Sequence, residues 1–274
     1  MGNQVWRWQL AIMLPAIAGC VSAAEPAARP DAALPQGIVP FAEPITLSYR
    51  GFSSFTYTFR SDIDAPSGPT IAEGWVMQGT MRAVGDQREW VYRMSNIGRD
   101  GVLREYGSLV VTTDAWGQVR EARVTENRWS RGPMRSSADA YFDPTDLRFP
   151  LCCCPRGPVR LGEAVAMPPR TETMPRAERR SGAIGPAMGQ FDDSGRSVAA
   201  GLLDRDGRPQ LVLRHDGSAS APGPESVSMQ RHGYSLIDTR ACLPTRSVWS
   251  NDFTVTTPAR TVSFSITHKH ETRF

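Results

Sequence analysis

From residue 45 onward, apolar and polar side chains alternate with a period of two. "ITLSYR" (45–50) and "FSSFTYTFR" (52–60) place Phe55, Tyr57 and Phe59 on one side, with Ser54, Thr56 and Thr58 on the other. "GWVMQGTMRA" continues the alternation through Trp75, Met77, Gly79 and Met81, and "EWVYRMSNI" through Trp90, Tyr92 and Met94. Period two over six to ten residues predicts half-buried β-strands, because successive side chains of a strand point to opposite faces. Gly/Asp punctuation falls between these runs at hairpin spacing: "VGDQ" (84–87), "GRDG" (98–101) and "DAWGQ" (114–118). The first half therefore reads as an antiparallel meander of five or six strands over about 45–126.

The rhythm lapses between about 127 and 195. "SSADAYFDPTDLRF" predicts a helical turn capped by Ser136 or Ser137 and stopped by Pro144. "PVRLGEAVAMP" (158–168) reads as one strand, and the Pro-, Gly- and Arg-rich "PPRTETMPRAERRSGAIGPAMGQFDDSG" as a long loop. Alternation returns in "SVAAGLLDRDGRPQLVLRH", whose Asp204-Arg205-Asp206-Gly207 marks a hairpin tip, and continues in "GYSLID", "TRSVWSNDFTVTT" and "ARTVSFSITHKH". This is a second meander of about five strands over 196–274. No amphipathic helix of ten residues fits anywhere in the body, so the fold class is all-β: antiparallel meanders forming a large curved sheet, an open barrel or a sandwich. The layout is similar to the half-barrel of envelope carriers that shuttle lipoproteins, a likeness of arrangement that does not fix function.

The beginning of the chain follows other rules. "MGNQVWRWQLAIMLPAIAGC" has a short n-region with Arg7 and an apolar stretch from Leu10 to Ala18. Nine helical residues rise about 14 Å, far less than a bilayer core of about 30 Å, so residues 1–19 read as a secretory signal peptide rather than a membrane span. Two cleavage sites compete. Val21-Ser22-Ala23 offers small residues at −3 and −1 to an ordinary signal peptidase, giving a soluble protein that begins near Ala24. Ile17-Ala18-Gly19-Cys20 resembles the lipobox of bacterial lipoprotein precursors, and the resemblance covers only the first 20 residues. It implies cleavage before Cys20 and a diacylglyceryl group on its thiol. The prolines at 26, 30, 35, 40 and 44 then make 20–44 an extended tether ahead of a 45–274 β domain.

Charge narrows the partners. Lys+Arg of 31 against Asp+Glu of 28 gives a net charge of only +3, and Lys269 is the single lysine. Acidic residues are interspersed among the arginines, so nucleic-acid binding is not expected. The 40% apolar and 22% charged residues suit a packed globular chain.

Candidate chemistry is sparse. Cys152, Cys153, Cys154 and Cys242 are an even set in an exported chain, which favours disulfide pairing over metal binding. Extended backbone at "CCC" points Cys153 away from its neighbours, so the triplet cannot grip one tetrahedral ion. His268 and His270 share one face of the last strand and can supply two metal ligands, with His215 or His232 as a third. Their place beside the C-terminus otherwise makes them solvent-facing histidines. The Asp204/Asp206 pair lacks the downstream ligands of a calcium loop. No nucleophile elbow, phosphate-binding glycine loop or His-Glu-x-x-His helix occurs. No cofactor is implied.

The reading is an exported, lipid-anchored, periplasm-facing protein acting as a non-catalytic binding or scaffolding module. Its partners would be the membrane, through Cys20, and an apolar ligand or an envelope protein. Trp75, Met77, Trp90, Tyr92 and Met94 form either ordinary core or the lining of an apolar groove. The rival is a metal-assisted hydrolase using His268 and His270.

Overall fold

In a computed structural model, residues 32–47, 53–64, 71–97, 102–114, 119–127, 155, 157–165, 192–193, 196–221, 226–259 and 261–274 are described. The first meander consists of β2 (Ser54–Asp64), β3 (Ile71–Val84), β4 (Gln87–Ile97), β5 (Leu103–Asp114) and β6 (Val119–Asn127). The second consists of β9 (Arg196–Arg205), β10 (Arg208–Ala221), β11 (Ser226–Asp238), β12 (Pro244–Thr256) and β13 (Thr261–Arg273). Short pieces complete the set: β1 (Ile45–Thr46), β7 (Pro158–Val159) and β8 (Asp192–Asp193). All pairings are antiparallel, and each meander pairs its strands in sequence order.

The expected meanders are present, and they are one sheet. β13 pairs with β2 from Ser265↔Asp64 to Arg273↔Thr56, so the last strand joins the first meander to the second. The result is an 11-stranded sheet that does not close into a barrel: β6 is at one end, and β8 and β9 lie along β10 at the other. Turn chemistry matches the sequence at two hairpins. Gly85 has φ 63° between β3 and β4, and Asp206 and Gly207 have φ 56° and 74° between β9 and β10. There the Asp204 carboxylate accepts from the Gly207 amide at 2.8 Å, the local bond that favours Asp at such tips.

One face of the sheet, the inner face, is core. Phe55, Tyr57, Phe59, Met77, Met81, Trp90, Tyr92, Met94, Leu109 and Val111 from the first meander are buried in one cluster with Leu211, Leu213 and Ile237 from the second. Phe55 meets the rings of Trp90 and Tyr92 edge-on at 5.8 and 6.3 Å. The Trp90 indole donates to Thr113 Oγ1 at 3.0 Å, which satisfies its N–H in the dry interior. Met77, Trp90, Tyr92 and Met94 are thus core, not the lining of an open groove.

Two expectations need correction. The tether predicted for 20–44 is docked from residue 32: Ala32 and Ile38 cover Val212, Tyr234, Leu236 and Val248 on the outer face. Val39 exchanges two 2.8 Å backbone bonds with Leu202 at the edge of β9. Phe41, Ile45 and Leu47 then join the inner core. Apolar residues between the prolines make this a strap around an edge strand, a placement that proline tolerates. The single strand expected at 158–168 is two pieces. Pro158–Val159 pairs with β1, and Gly162, Glu163 and Val165 bond to Ser197 and Ala199 of β9. The predicted helical turn at 136–149 lies outside the described residues.

Candidate functional site

The fold gathers three of the four histidines, His215, His268 and His270, around Trp249. Register sets the arrangement: His270 stands opposite Phe59 of β2 and Ser247 of β12, His268 stands opposite Trp249, and Trp249 stands opposite Gly233, which faces His215 of β10. Gly233 is essential to that row. A Cβ there would overlap the Val248 carbonyl oxygen and the Trp249 backbone, and without one the Trp249 ring reaches His215 edge-on at 6.3 Å.

The solvent-facing histidines expected at 268 and 270 are instead buried, at 3% and 6% exposure. Pairing with β2 carries this part of the last strand into the middle of the sheet, with both imidazoles on the inner face. Trp249 stacks on His270 with centroids 4.4 Å apart and lies 5.8 Å from His268. Phe59 packs on both imidazoles at 4.8 and 5.6 Å, and the Tyr57 hydroxyl is hydrogen-bonded to His270 Nδ1. Burial among these rings penalises a charged imidazole. It holds His268 down at about 3, with the Arg231 guanidinium pushing the same way. His270 is held well below the ordinary value by burial first, then by His268 and His215.

His215 is half-buried and bridges hydroxyls on both sides. Its Nδ1 lies 2.8 Å from Ser197 Oγ and its Nε2 2.6 Å from Ser235 Oγ. Ser235 in turn accepts from Ser247 at 2.7 Å. A neutral imidazole has one donor and one acceptor, and hydroxyls serve as either, so both tautomers satisfy this chain. The fourth histidine is on the outer face: His232 Nδ1 is 3.6 Å from Asp252 Oδ2, and Asp252 Oδ1 accepts from Ser265 at 2.6 Å.

The chemistry this permits is limited. An imidazole that resists protonation to about pH 3 is a feeble proton acceptor at neutral pH. Two strand-borne histidines supply two ligands, and among the described residues no group of three or more His, Cys, Asp or Glu side chains converges on a metal-sized space.

Cys242 is fully buried and disulfide-bonded, and its partner is not among the described residues. Cys20, Cys152, Cys153 and Cys154 lie outside them. The Cys242 backbone is left-handed, with φ 52°. Asp238 holds that turn: its carboxylate accepts from the Arg240 and Ala241 amides at 2.8 Å each, and its carbonyl accepts from the Cys242 amide at 2.8 Å.

The sequence singled out His268 and His270 by spacing and missed the groups that enclose them. Phe59 and Trp249 are aromatic positions in alternating runs. The β12–β13 hairpin sets Trp249 opposite His268, but only the β2–β13 register, which no local pattern encodes, brings Phe59 to the imidazoles.

No protein-family model matches the chain, and no curated protein matches it. Among solved structures, the chain is similar to a DUF1329 family protein from Desulfovibrio piger. The identity is 7% and the TM-score 0.15, over 99% of this chain and 93% of that one. A TM-score so low carries no argument about this protein.

Proposed function

We propose that this is an exported protein, held at the bacterial cell envelope by a lipid on Cys20, whose β body is a non-catalytic binding or scaffolding module. One observation carries the non-catalytic part. The histidines most suited to chemistry are stacked among Trp249, Phe59 and Tyr57 and kept uncharged, so they act as packing groups. The inner face is likewise filled by its own side chains, which turns the reading of the partner away from an apolar guest and towards an envelope protein met at the sheet's outer face. Export and anchoring rest on the apolar leader and on Ile17-Ala18-Gly19-Cys20. Docking of the chain from Ala32 onward shortens the spacer to residues 20–31. Twelve extended residues at about 3.1 Å each allow a stand-off of about 37 Å.

The test is the mass of the mature N-terminal peptide from the native host, with membrane and soluble fractions kept apart. A diacylglyceryl adduct on Cys20 in the membrane fraction is expected. An unmodified peptide beginning near Ala24 in the soluble fraction would overturn the anchor.

A further inference from the structure

The two buried imidazoles stand at one particular place in the topology. β13 and β2 are the only strands through which the two meanders pair among the described residues. On the inner face, that junction is filled by His268 and His270 from β13 against Tyr57 and Phe59 from β2. We propose that this junction is an acid-triggered latch: closed around neutral imidazoles, it opens when His268 and His270 take up protons, and so exposes the inner face between β2 and β13. The inference is independent of lipid attachment at Cys20.

Every element packed on the cluster weighs in. From β11, Arg231 faces it and donates to Asn251 Oδ1 of β12 at 3.0 Å. From β10 comes His215, a third imidazole, bridged to Ser197 of β9 and Ser235 of β11. β12 adds Trp249 and Ser247, β2 adds Tyr57, and β13 adds Thr272. The nearby carboxylates Asp62, Asp216 and Asp252 belong to the other face, each occupied with Lys269, Arg214 or His232. Protons arriving at the junction therefore meet a guanidinium and one another inside a dry aromatic box. Stacking on Trp249 gives a cation some return, which the burial opposes.

The direction in pH follows. Histidines whose affinity for protons is lowered by folding leave the closed form unpenalised only above their unfolded value, 6.5. As pH falls below that, protons bind the open form first. Each pH unit between about 6.5 and about 3 then favours opening about tenfold through His268, and His270, also held below its ordinary value, adds to it in the same direction.

The experiment is hydrogen exchange and binding of an apolar dye by the full chain, from about pH 7.5 to about pH 4. Expected is a step in which β2, β12 and β13 amides lose protection and dye binds, with uptake of about two protons. A variant with His268→Phe and His270→Gln lacks both titrating groups but keeps a ring for Phe59 and an acceptor for Tyr57. It should lose the step, whereas His232→Gln should keep it. The same step in the double variant overturns the latch. If that variant does not fold, the wild-type imidazole NMR signals decide. Signals that stay neutral until the native spectrum is lost support the latch, and titration near 6.5 within an intact native spectrum overturns it.

Discussion

Gly79 and Gly233 hold equivalent places in the two meanders. Gly79 lies between Phe55 of β2 and Tyr92 of β4, and Gly233 between His215 and Trp249. In each case a missing side chain in the middle strand lets rings from the outer two strands lean over it and meet. An added methyl at either would overlap a neighbouring carbonyl oxygen and a ring-bearing residue's backbone. Gly233→Ala should therefore cost about 2–3 kcal/mol, as overpacking does in a filled core, with a parallel loss of near-ultraviolet circular dichroism as Trp249 is displaced. An unchanged urea midpoint would show that the row repacks freely. Such positions are hard to read in a sequence. Gly79 sits in an alternating run as if it were an ordinary apolar position, and Gly233 looks like the start of a strand rather than its middle.

At the scale of elements, the strap explains how one end of the sheet is finished. A bare β9 would present unpaired backbone to any passing strand. Here Val39 bonds to Leu202, and Gly162, Glu163 and Val165 bond to Ser197 and Ala199, so two segments from distant parts of the chain share the edge. Gly201, φ 147°, lies where the Val39 backbone comes closest. A chain beginning at Ile45 should lose on the order of 3–5 kcal/mol, from bared Val212, Tyr234, Leu236 and Val248. Thermal unfolding and dye binding measure it, and a melting temperature equal to that of the full protein would make the strap a passenger. The elements most legible in the sequence were those set by local alternation and by Gly/Asp tips, namely β2–β6 and β9–β13. The strap was misread because the prolines at 35, 40 and 44 hid its apolar residues Ile38 and Phe41. Pro158–Val159 was overextended because a two-residue bridge has no period.

Across the whole molecule, the long-range joins decide what the parts can do, and sequence pattern is silent about them. The β2–β13 seam turns two meanders into one sheet and turns terminal histidines into core. A second join involves Cys242. It shares one buried cluster with Val159, four residues beyond Pro155, itself buried, so the cysteine triplet is the natural partner for its disulfide. Peptide mapping without reductant should find Cys242 linked to Cys152, Cys153 or Cys154. A loop of about ninety residues so closed adds about 4–5 kcal/mol on the chain-entropy model. A Cys242 peptide linked to Cys20 instead would refute the pairing.

The central seam also has a consequence in time. Tyr57 and His270, which touch across it, are 213 residues apart in the chain. A ribosome making about 5–20 residues per second leaves β2 without its second neighbour for ten seconds or more. During that interval the nascent first meander has an incomplete inner face and an open edge at Phe59. Such a chain cannot lock prematurely. It becomes a finished sheet only once β13 arrives beside β2.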